Sequence, residues 1–171
     1  MIVLETERLL VRRLAAEDAA FILVLVNDPA WLQFIGDRGV RTLEDARGYI
    51  QNGPVAMYRR VGFGLFLVEL KRDATSIGLC GLIERPGLAD IDIGFAFLPA
   101  FRKHGYAYES ASAIMTYAQD TLGLKRVVAI TAPDNQRSIA LLTRLGLSFE
   151  EMVRLAEHQP EVMLFGWNKP A

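Results

Sequence analysis

The sequence predicts a mixed α/β fold of α+β character, in which about seven strands form one central sheet and about four helices flank it. Short segments of alternating or continuous apolar residues, bounded by turn residues, predict the strands. Longer segments with apolar residues three and four positions apart predict the helices. With 171 residues, the chain is long enough for one substantial core and short for two. We therefore expect residues 1–171 to form a single domain.

The first half of the chain is predicted to contain two helices. The first spans residues 16–26 and ends at Asn27-Asp28-Pro29, because proline disfavours helical dihedrals in the residue before it. Thr42 suits the N-cap of the second helix, which continues through residue 50. Asn52-Gly53-Pro54 should end this helix.

The second half is predicted to contain two more helices, at residues 109–122 and 135–145, and Gly146 should end the latter. The strand, helix and strand between residues 91 and 131 form a candidate right-handed crossover, so the fourth and fifth strands should be locally parallel. The predicted strands span residues 9–14, 63–70, 77–84, 91–98, 127–131, 147–153 and 162–167.

One loop joins the fourth predicted strand to the third helix and has the properties of an anion site. The first N–H groups of a helix have no partner within it, and the helix dipole places partial positive charge there. Gly105 allows a ligand to approach the backbone closely, and Arg102, Lys103 and His104 add basic groups. A plain turn is the alternative. The chain lacks G-x-G-x-x-G after its first strand and lacks G-x-x-x-x-G-K-[ST], so we expect a pyrophosphate cofactor held by another kind of loop.

Residues 102–107 match the [QR]-x-x-G-x-[GA] signature, and the chain therefore resembles the GNAT superfamily of acyl-CoA-dependent N-acetyltransferases. Four further segments resemble one branch of this family. Residues 5–12 resemble E-T-E-R-L-x-L-R, residues 92–95 resemble part of A-E-I-G-Y, residues 135–138 resemble N-x-x-S, and residues 142–146 resemble L-x-K-L-G. These motifs span nearly the whole chain in the expected order. The branch includes enzymes that acetylate the N-termini of ribosomal proteins.

The resemblance implies acetyl-CoA as co-substrate and no metal. It also implies that the fourth and fifth strands splay apart, so that the pantetheine arm pairs with the fourth strand and the pyrophosphate meets the loop. Lys103 stands where the branch commonly has glycine, and lysine tolerates positive φ poorly, so the loop geometry should differ slightly. By resemblance, the cofactor-binding residues are Phe97, Leu98, Arg102, Lys103, His104, Gly105, Tyr106, Ala107 and Asn135.

Asn135 has a second interpretation, because asparagine is also a favoured helix N-cap. Ser138 is expected near the sulfur, where its hydroxyl would donate to the departing thiolate. Many other GNAT enzymes use a tyrosine as this acid, and no tyrosine lies in the helix after Thr131. The general base is expected to be a carboxylate, either Asp92, which occupies the place of a frequent glutamate, or Glu84, which ends the preceding strand.

Bulk properties narrow the functional classes. A net charge of −1 argues against a general nucleic-acid binder, and the single cysteine, Cys80, cannot form an internal disulfide. No apolar segment is long enough to span a bilayer, and residues 5–8 are too polar for a signal peptide. We expect a cytoplasmic monomer or homodimer whose acceptor is a primary amine, either a protein N-terminus or a small molecule, bound mainly by the N-terminal half. The alternatives are a non-catalytic acyl-CoA-binding or regulatory module and an acyltransferase for longer acyl groups.

Overall fold

A computed structural model describes residues 1–171 and contains one eight-stranded sheet with the order β1-β2-β3-β4-β5-β6-β8-β7. All neighbouring strands are antiparallel except β5 and β6, which are parallel. The mixed α/β prediction is therefore confirmed. The strands are β1 (Ile2–Glu5), β2 (Leu9–Arg13), β3 (Leu65–Leu70), β4 (Ser76–Ile83), β5 (Asp92–Phe97), β6 (Arg126–Thr131), β7 (Ser148–Val153) and β8 (Val162–Asn168).

All seven predicted strands are present, and the sheet has one more, β1, at its edge. This strand has four residues, is exposed at both ends, and pairs with β2 through an irregular register between Ile2 and Leu4. A short edge strand of this kind lacks the alternation from which a strand is predicted.

All four predicted helices are present, and two further short helices occur between them. No helix is both long and apolar enough to cross a membrane. The helices are α1 (Ala19–Leu25), α2 (Pro29–Phe34), α3 (Leu43–Ile50), α4 (Ala56–Val61), α5 (Tyr106–Asp120) and α6 (Gln136–Arg144).

Each unpredicted helix begins at or just after a proline that was expected only to interrupt helical structure: α2 begins at Pro29, and α4 follows Pro54. Pro29 occupies the first turn of α2, where its missing N–H leaves no helical bond unmade, and the side chain of Asp28 caps the helix by accepting from the N–H of Ala30 at 3.1 Å. The prediction that residues 52–54 end the preceding helix was wrong. Pro54 lies inside a π-helical stretch, Gln51–Val55, which joins α3 to α4. The wider turn shifts the hydrogen-bond register, and we attribute the tolerance of Pro54 to this shift.

The N-cap of α3 was predicted correctly. The Thr42 hydroxyl accepts from the N–H of Asp45 at 3.0 Å, and the Asp45 carboxylate accepts from the N–H of Thr42 at 3.1 Å. This reciprocal pair satisfies two N–H groups at the start of the helix.

The sheet is covered by helices on both faces. Phe66 of β3 packs on the face covered by α5, in a cluster that includes Ile114. Its neighbour Leu67 packs on the opposite face, in a cluster that includes Ile22 of α1 and Ile50 of α3. Successive strand residues point to opposite faces, so one strand contributes to both layers of the core.

The sheet opens between β5 and β6. These strands share one paired position, Asp92 with Val128, and the N–H of Val128 donates to the carbonyl of Ile91 at 2.9 Å. Beyond it, β6 pairs only with β8, through all of its residues from Arg126 to Thr131. The expected splay is therefore present, and it leaves one edge of β5 without a neighbouring strand.

Candidate active site

The loop between β5 and α5 presents a run of unbonded N–H groups. A 3₁₀ turn, Pro99–Phe101, leads into the loop, and Gly105 forms the N-cap of α5 with φ of 82° and no side-chain capping bond. None of the backbone N–H groups of residues 103–108 donates to a protein acceptor. Because the positive end of the helix dipole lies in the same place, the loop suits an anion with several oxygens. We call residues 102–107 the anion loop.

Lys103 adopts the left-handed conformation, with φ of 63°. This conformation costs a residue with a side chain about 1–2 kcal/mol, and glycine adopts it freely. Lysine in place of the family's glycine therefore introduces backbone strain at this position. The backbone keeps a conformation that suits glycine, although a lysine is present.

We expect Lys103→Gly to raise the free energy of unfolding by up to about 1 kcal/mol, because glycine relieves the strain but also adds freedom to the unfolded chain. Cofactor binding should be kept, since the loop conformation is retained. Ala74→Gly is the matched control, because Ala74 also has a positive φ, of 58°, in a turn between β3 and β4. Chemical denaturation of both variants tests this, and destabilisation by Lys103→Gly alone would contradict it.

The side chain of Arg102 is already bound within the protein. Its Nη2 lies 2.8 Å from Oδ2 of Asp28, which is itself almost buried, and its Nε donates to the carbonyl of Phe97 at 3.1 Å. The N–H of Arg102 donates to Pro99. Arg102 therefore links the loop to the start of α2. Because its guanidinium is already bonded within the protein, the geometry gives little support to the expected contact between Arg102 and phosphate. Lys103 and His104, by contrast, are exposed.

The open edge of β5 follows from its ladder with β4. The N–H of Leu98 donates to the carbonyl of Ile77 at 3.0 Å, so Leu98 is bonded towards β4. Backbone groups alternate in direction along an antiparallel strand, so those of Ile93, Phe95 and Phe97 point towards the gap. The expected strand contact fits Phe97 and does not fit the N–H of Leu98. The backbone of Phe95 faces the gap instead, and the β4 register that reveals this cannot be read from the sequence.

Asn135 and Ser138 lie at the start of α6. The Asn135 side chain accepts from the N–H of Ser138 at 3.3 Å, so Asn135 is the N-cap. Ser138 is half-buried, and its hydroxyl makes no hydrogen bond within the protein. Because β5 and β6 are parallel, the loops that follow them lie at the same end of the sheet. The structure therefore places Ser138 and the anion loop at the same, open end of the gap.

Asp92 lies at the closed end of the gap. It is 1% exposed, and its Oδ2 lies 2.8 Å from Nε of Arg85. Burial raises the pKa of Asp92 to about 6, although Arg85 opposes the shift. Asp92 shares a strand face with Ala96, which packs on the α1 and α3 side. It begins β5 whereas the anion loop follows β5, so about 16 Å of strand separates them.

The other carboxylates near this end are not brought together with Asp92. Glu84 is half exposed and pairs with Arg60 at 2.6 Å. Asp90 pairs with Arg126 at 2.9 Å. The two candidate bases from the sequence thus occupy different environments, one buried and one on the surface.

The structure offers neither a metal cluster nor a reactive thiol. No group of three or more His, Cys, Asp or Glu side chains is placed to hold a metal ion. Cys80 is buried in the sheet, and burial raises the pKa of its thiol to about 12. A thiol that stays protonated and out of reach cannot act as a nucleophile.

Residues 8–148 match the family described as the acetyltransferase (GNAT) domain. The match covers most of the chain. The chain also has the splayed sheet expected of the family, and its loop at residues 102–107 carries the family's signature. The chain therefore belongs to the GNAT acetyltransferases and is an acyltransferase.

Known relatives agree with this assignment. An uncharacterised N-acetyltransferase of Bacillus subtilis, YoaA, is 28% identical over 92% of this chain and 89% of its own length. An acetyltransferase of Agrobacterium tumefaciens is 25% identical, with a TM-score of 0.82 over 97% of this chain and 94% of that one. RimL, a ribosomal L7/L12 alpha-N-protein acetyltransferase solved with coenzyme A, has a TM-score of 0.84 over 99% of this chain and 98% of its own. At 21% identity, RimL shows likeness of fold.

Proposed function

We propose that residues 1–171 act as one GNAT-type catalytic domain that transfers an acetyl group from acetyl-CoA directly to a primary amine. The observation that carries this proposal is the run of free N–H groups at residues 103–108 beside the unpaired edge of β5. A pyrophosphate needs the first feature, and the amide groups of a pantetheine arm can pair with the second.

The cofactor contacts follow from these two surfaces. The loop holds the pyrophosphate through its backbone N–H groups, with Lys103 and His104 adding side-chain contacts at the exposed rim. The backbone of Phe95 and the N–H of Phe97 pair with the pantetheine arm, while the carbonyl of Phe97 accepts from Arg102. Asn135, which leads out of β6 on the other side of the gap, contacts the arm or the acceptor while it caps α6.

The reaction proceeds without an acyl-enzyme intermediate. The amine nitrogen attacks the thioester carbonyl, the carbon–sulfur bond breaks, and the thiolate leaves. Ser138 is the proton or hydrogen-bond donor to that thiolate, because its hydroxyl is free of other partners and lies at the open end of the gap. Positioning of two bound reactants supplies much of the rate.

Asp92 is the better candidate for the general base, and Glu84 is the weaker one. A base works best when its pKa lies near the working pH, and the buried Asp92 has a pKa of about 6. Its burial means that the amine proton reaches it through water. Glu84 is paired with Arg60 on the surface.

We expect the pH dependence of turnover to report Asp92. Its carboxylate becomes ionised, and able to accept a proton, as the pH rises through about 6. kcat/KM should therefore rise through this region in addition to the rise caused by the acceptor amine itself. Asp92→Asn should abolish the rise of kcat/KM near pH 6, so that its slope against pH there falls by one, and should lower kcat on the order of 10²–10⁴-fold. Asp90→Asn is the matched control, and an unchanged profile in Asp92→Asn would exclude Asp92 as the base.

The same pKa predicts a stability effect of the opposite sign. The folded-state pKa lies above the ordinary value of 3.8, so the contribution of Asp92 to stability is full below 3.8 and is lost as the pH rises through about 6. Denaturation between these pH values should show this loss in the wild-type protein and a smaller loss in Asp92→Asn. Equal pH dependence of the two would contradict the raised pKa.

The acceptor proposed is a protein N-terminus or another amine of similarly low pKa. An N-terminal amine has a pKa near 8 and a lysine near 10.4, so the N-terminus offers a neutral fraction about two powers of ten larger at neutral pH. The fold of RimL, named as an alpha-N-protein acetyltransferase, is compatible with such an acceptor. Three exposed apolar side chains suit the apolar side chains of a peptide: Val24 of α1, Leu32 of α2 and Ile35, which directly follows α2.

The N-terminal half also contains aromatic residues that could wall an acceptor pocket. Four of them occupy different environments in the structure, and these are Trp31, Phe34, Tyr49 and Tyr58. Tyr58 belongs to the core, because it stacks on Phe66 and its hydroxyl bonds to the backbone of Leu14 and Leu65. Trp31 is 5% exposed. Phe34 of α2 and Tyr49 of α3 are only partly buried, so they remain the candidates for acceptor contact.

An acceptor panel tests the proposed function. Release of free thiol from acetyl-CoA should be fastest with peptides that carry a free N-terminus, and slower with free lysine, polyamines and amino-sugars. Activity confined to polyamines would overturn the proposed acceptor. Saturable binding of acetyl-CoA without turnover on any amine would favour a non-catalytic binding module.

A further inference from the structure

The turn between β1 and β2 lies against the first turn of α5. The Thr6 hydroxyl donates to Oε1 of Glu109 at 2.6 Å, and the N–H of Arg8 donates to the same oxygen at 2.9 Å. Nε of Arg8 donates to Oε2 at 2.7 Å. One carboxylate on α5 thus accepts three bonds from residues about 100 positions earlier in the chain. We call Thr6, Arg8 and Glu109 the N-terminal latch.

Arg8 also contacts the anion loop itself. Its Nη1 donates to the carbonyl of His104 at 3.0 Å, and its guanidinium lies 4.4 Å from the ring centre of Tyr106. A Cβ placed on Gly105 would lie 3.3 Å from its Nη2. Arg8 therefore touches three consecutive residues at the start of α5.

The loop conformation needs such support. Both Lys103 and Gly105 are in the left-handed region, and the loop N–H groups are unbonded. Arg8 is the one residue outside the loop and α5 whose side chain donates a hydrogen bond to the backbone of residues 102–107. A loop held in this way has less freedom to lose when a ligand binds.

The latch also balances charge beside the anion site. Burial opposes ionisation of Glu109, but hydrogen bonds from Thr6 and Arg8 outweigh it and lower the pKa of the carboxyl. Glu109 is therefore negative at neutral pH, within one turn of the N–H groups that would hold a pyrophosphate. Without Arg8, this charge would repel an anionic ligand.

Packing alone does not explain Arg8. Its side chain is 43% exposed and borders an open cavity of about 520 Å³ lined by Tyr108, Ser112 and Arg144 as well as the latch. A smaller side chain at this position therefore leaves no hole in the core, and a variant is expected to fold.

We propose that Arg8 is a positioning residue of the cofactor site. It fixes the anion loop and offsets the charge of Glu109. This inference rests on the proposed function, because the loop must first bind acetyl-CoA. Arg8 does not reach the reacting atoms, so it acts on cofactor affinity and leaves the chemical step unchanged.

Arg8→Met tests this inference against a closely matched control, Arg13→Met. Arg13 ends β2, the strand that Arg8 directly precedes; its guanidinium lies 5.0 Å from the ring centre of Tyr58, and its Nη2 lies 3.1 Å from the carbonyl of Gly62. It makes the same kinds of contact far from the loop. Calorimetry with CoA and steady-state kinetics with acetyl-CoA should show Kd and KM about tenfold higher in Arg8→Met, with kcat at saturation unchanged. Arg13→Met should keep wild-type values.

Two further variants distinguish a specific effect of the latch on CoA affinity from a general loss of stability. The double variant Arg8→Met/Glu109→Gln should recover part of the lost CoA affinity, because it removes the uncompensated charge. Arg8→Lys keeps a charge without the planar fork, so its affinity should lie between those of wild type and Arg8→Met, and this variant carries the test if Arg8→Met does not fold. Equal CoA affinity in Arg8→Met and Arg13→Met, or no recovery in the double variant, would overturn the inference. Failure of the wild-type protein to bind CoA would instead overturn the proposed function.

Discussion

Gly105→Val should weaken acetyl-CoA binding on the order of 10²-fold while the protein remains folded. Gly105 has φ of 82°, a conformation that a β-branched residue adopts only at a cost of about 1–3 kcal/mol. The valine loop would relax to another conformation, and binding would have to restore the strained one. Its side chain would also meet the guanidinium of Arg8. Calorimetry with acetyl-CoA measures the loss directly.

Gly123→Val is the control for this variant. Gly123 follows α5 with φ of 68°, and a Cβ there would meet no atom within 4 Å. It should lower the free energy of unfolding by a similar amount without changing acetyl-CoA affinity. If folded Gly105→Val binds as tightly as Gly123→Val, the loop does not hold the cofactor.

Ser138→Ala should lower kcat on the order of 10²–10⁴-fold and leave the Kd for acetyl-CoA nearly unchanged. The reason is that a bond to the leaving thiolate strengthens only as charge develops in the transition state. Rapid measurement of thiol release at saturating acetyl-CoA and acceptor, together with calorimetry, separates the two effects.

Thr143→Ala on the same helix is the control for Ser138→Ala. The Thr143 hydroxyl is exposed and donates to the carbonyl of Ile139 at 2.9 Å, so its loss should not affect turnover. Ser138→Thr keeps a hydroxyl and should retain part of the activity. Full kcat in Ser138→Ala would leave Ser138 only its place in the first turn of α6, and another donor would have to protonate the thiolate.

The sequence predicted the regular elements well because their signals are local. Strand alternation, helical spacing and the Thr42 cap each depend on residues a few positions apart. The two prolines show the limit of such signals. Pro29 begins a helix and Pro54 lies within one, and the difference depends on hydrogen-bond register that the surrounding fold sets.

The candidate site was predictable where a motif is contiguous and unpredictable where it depends on pairing between distant segments. The loop at residues 102–107 precedes α5 as expected. That Leu98 bonds towards β4 and Phe95 towards the gap depends on strand register. The bond between Arg8 and Glu109 joins residues 101 positions apart, so neither motif predicts its partner.

The charged residues of the site illustrate the same limit. Arg102 was expected to face phosphate, and the folded chain instead offers it the almost buried carboxylate of Asp28. Asp92 and Glu84 look alike in the sequence, yet one is buried against Arg85 and the other is exposed beside Arg60. Burial raises the pKa of Asp92, and burial is a property of the assembled sheet.

The central claim is direct acetyl transfer from acetyl-CoA to an amine, with a peptide N-terminus as the favoured acceptor. The most direct measurement incubates the protein with acetyl-CoA and two peptides of one sequence, one with a free N-terminus and one with a blocked N-terminus, and follows thiol release and the site of acetylation by mass spectrometry. We predict stoichiometric thiol release and acetylation at the α-amino group of the free peptide alone. Equal thiol release with both peptides, or acetyl-CoA binding without any acetylated product, would contradict the account.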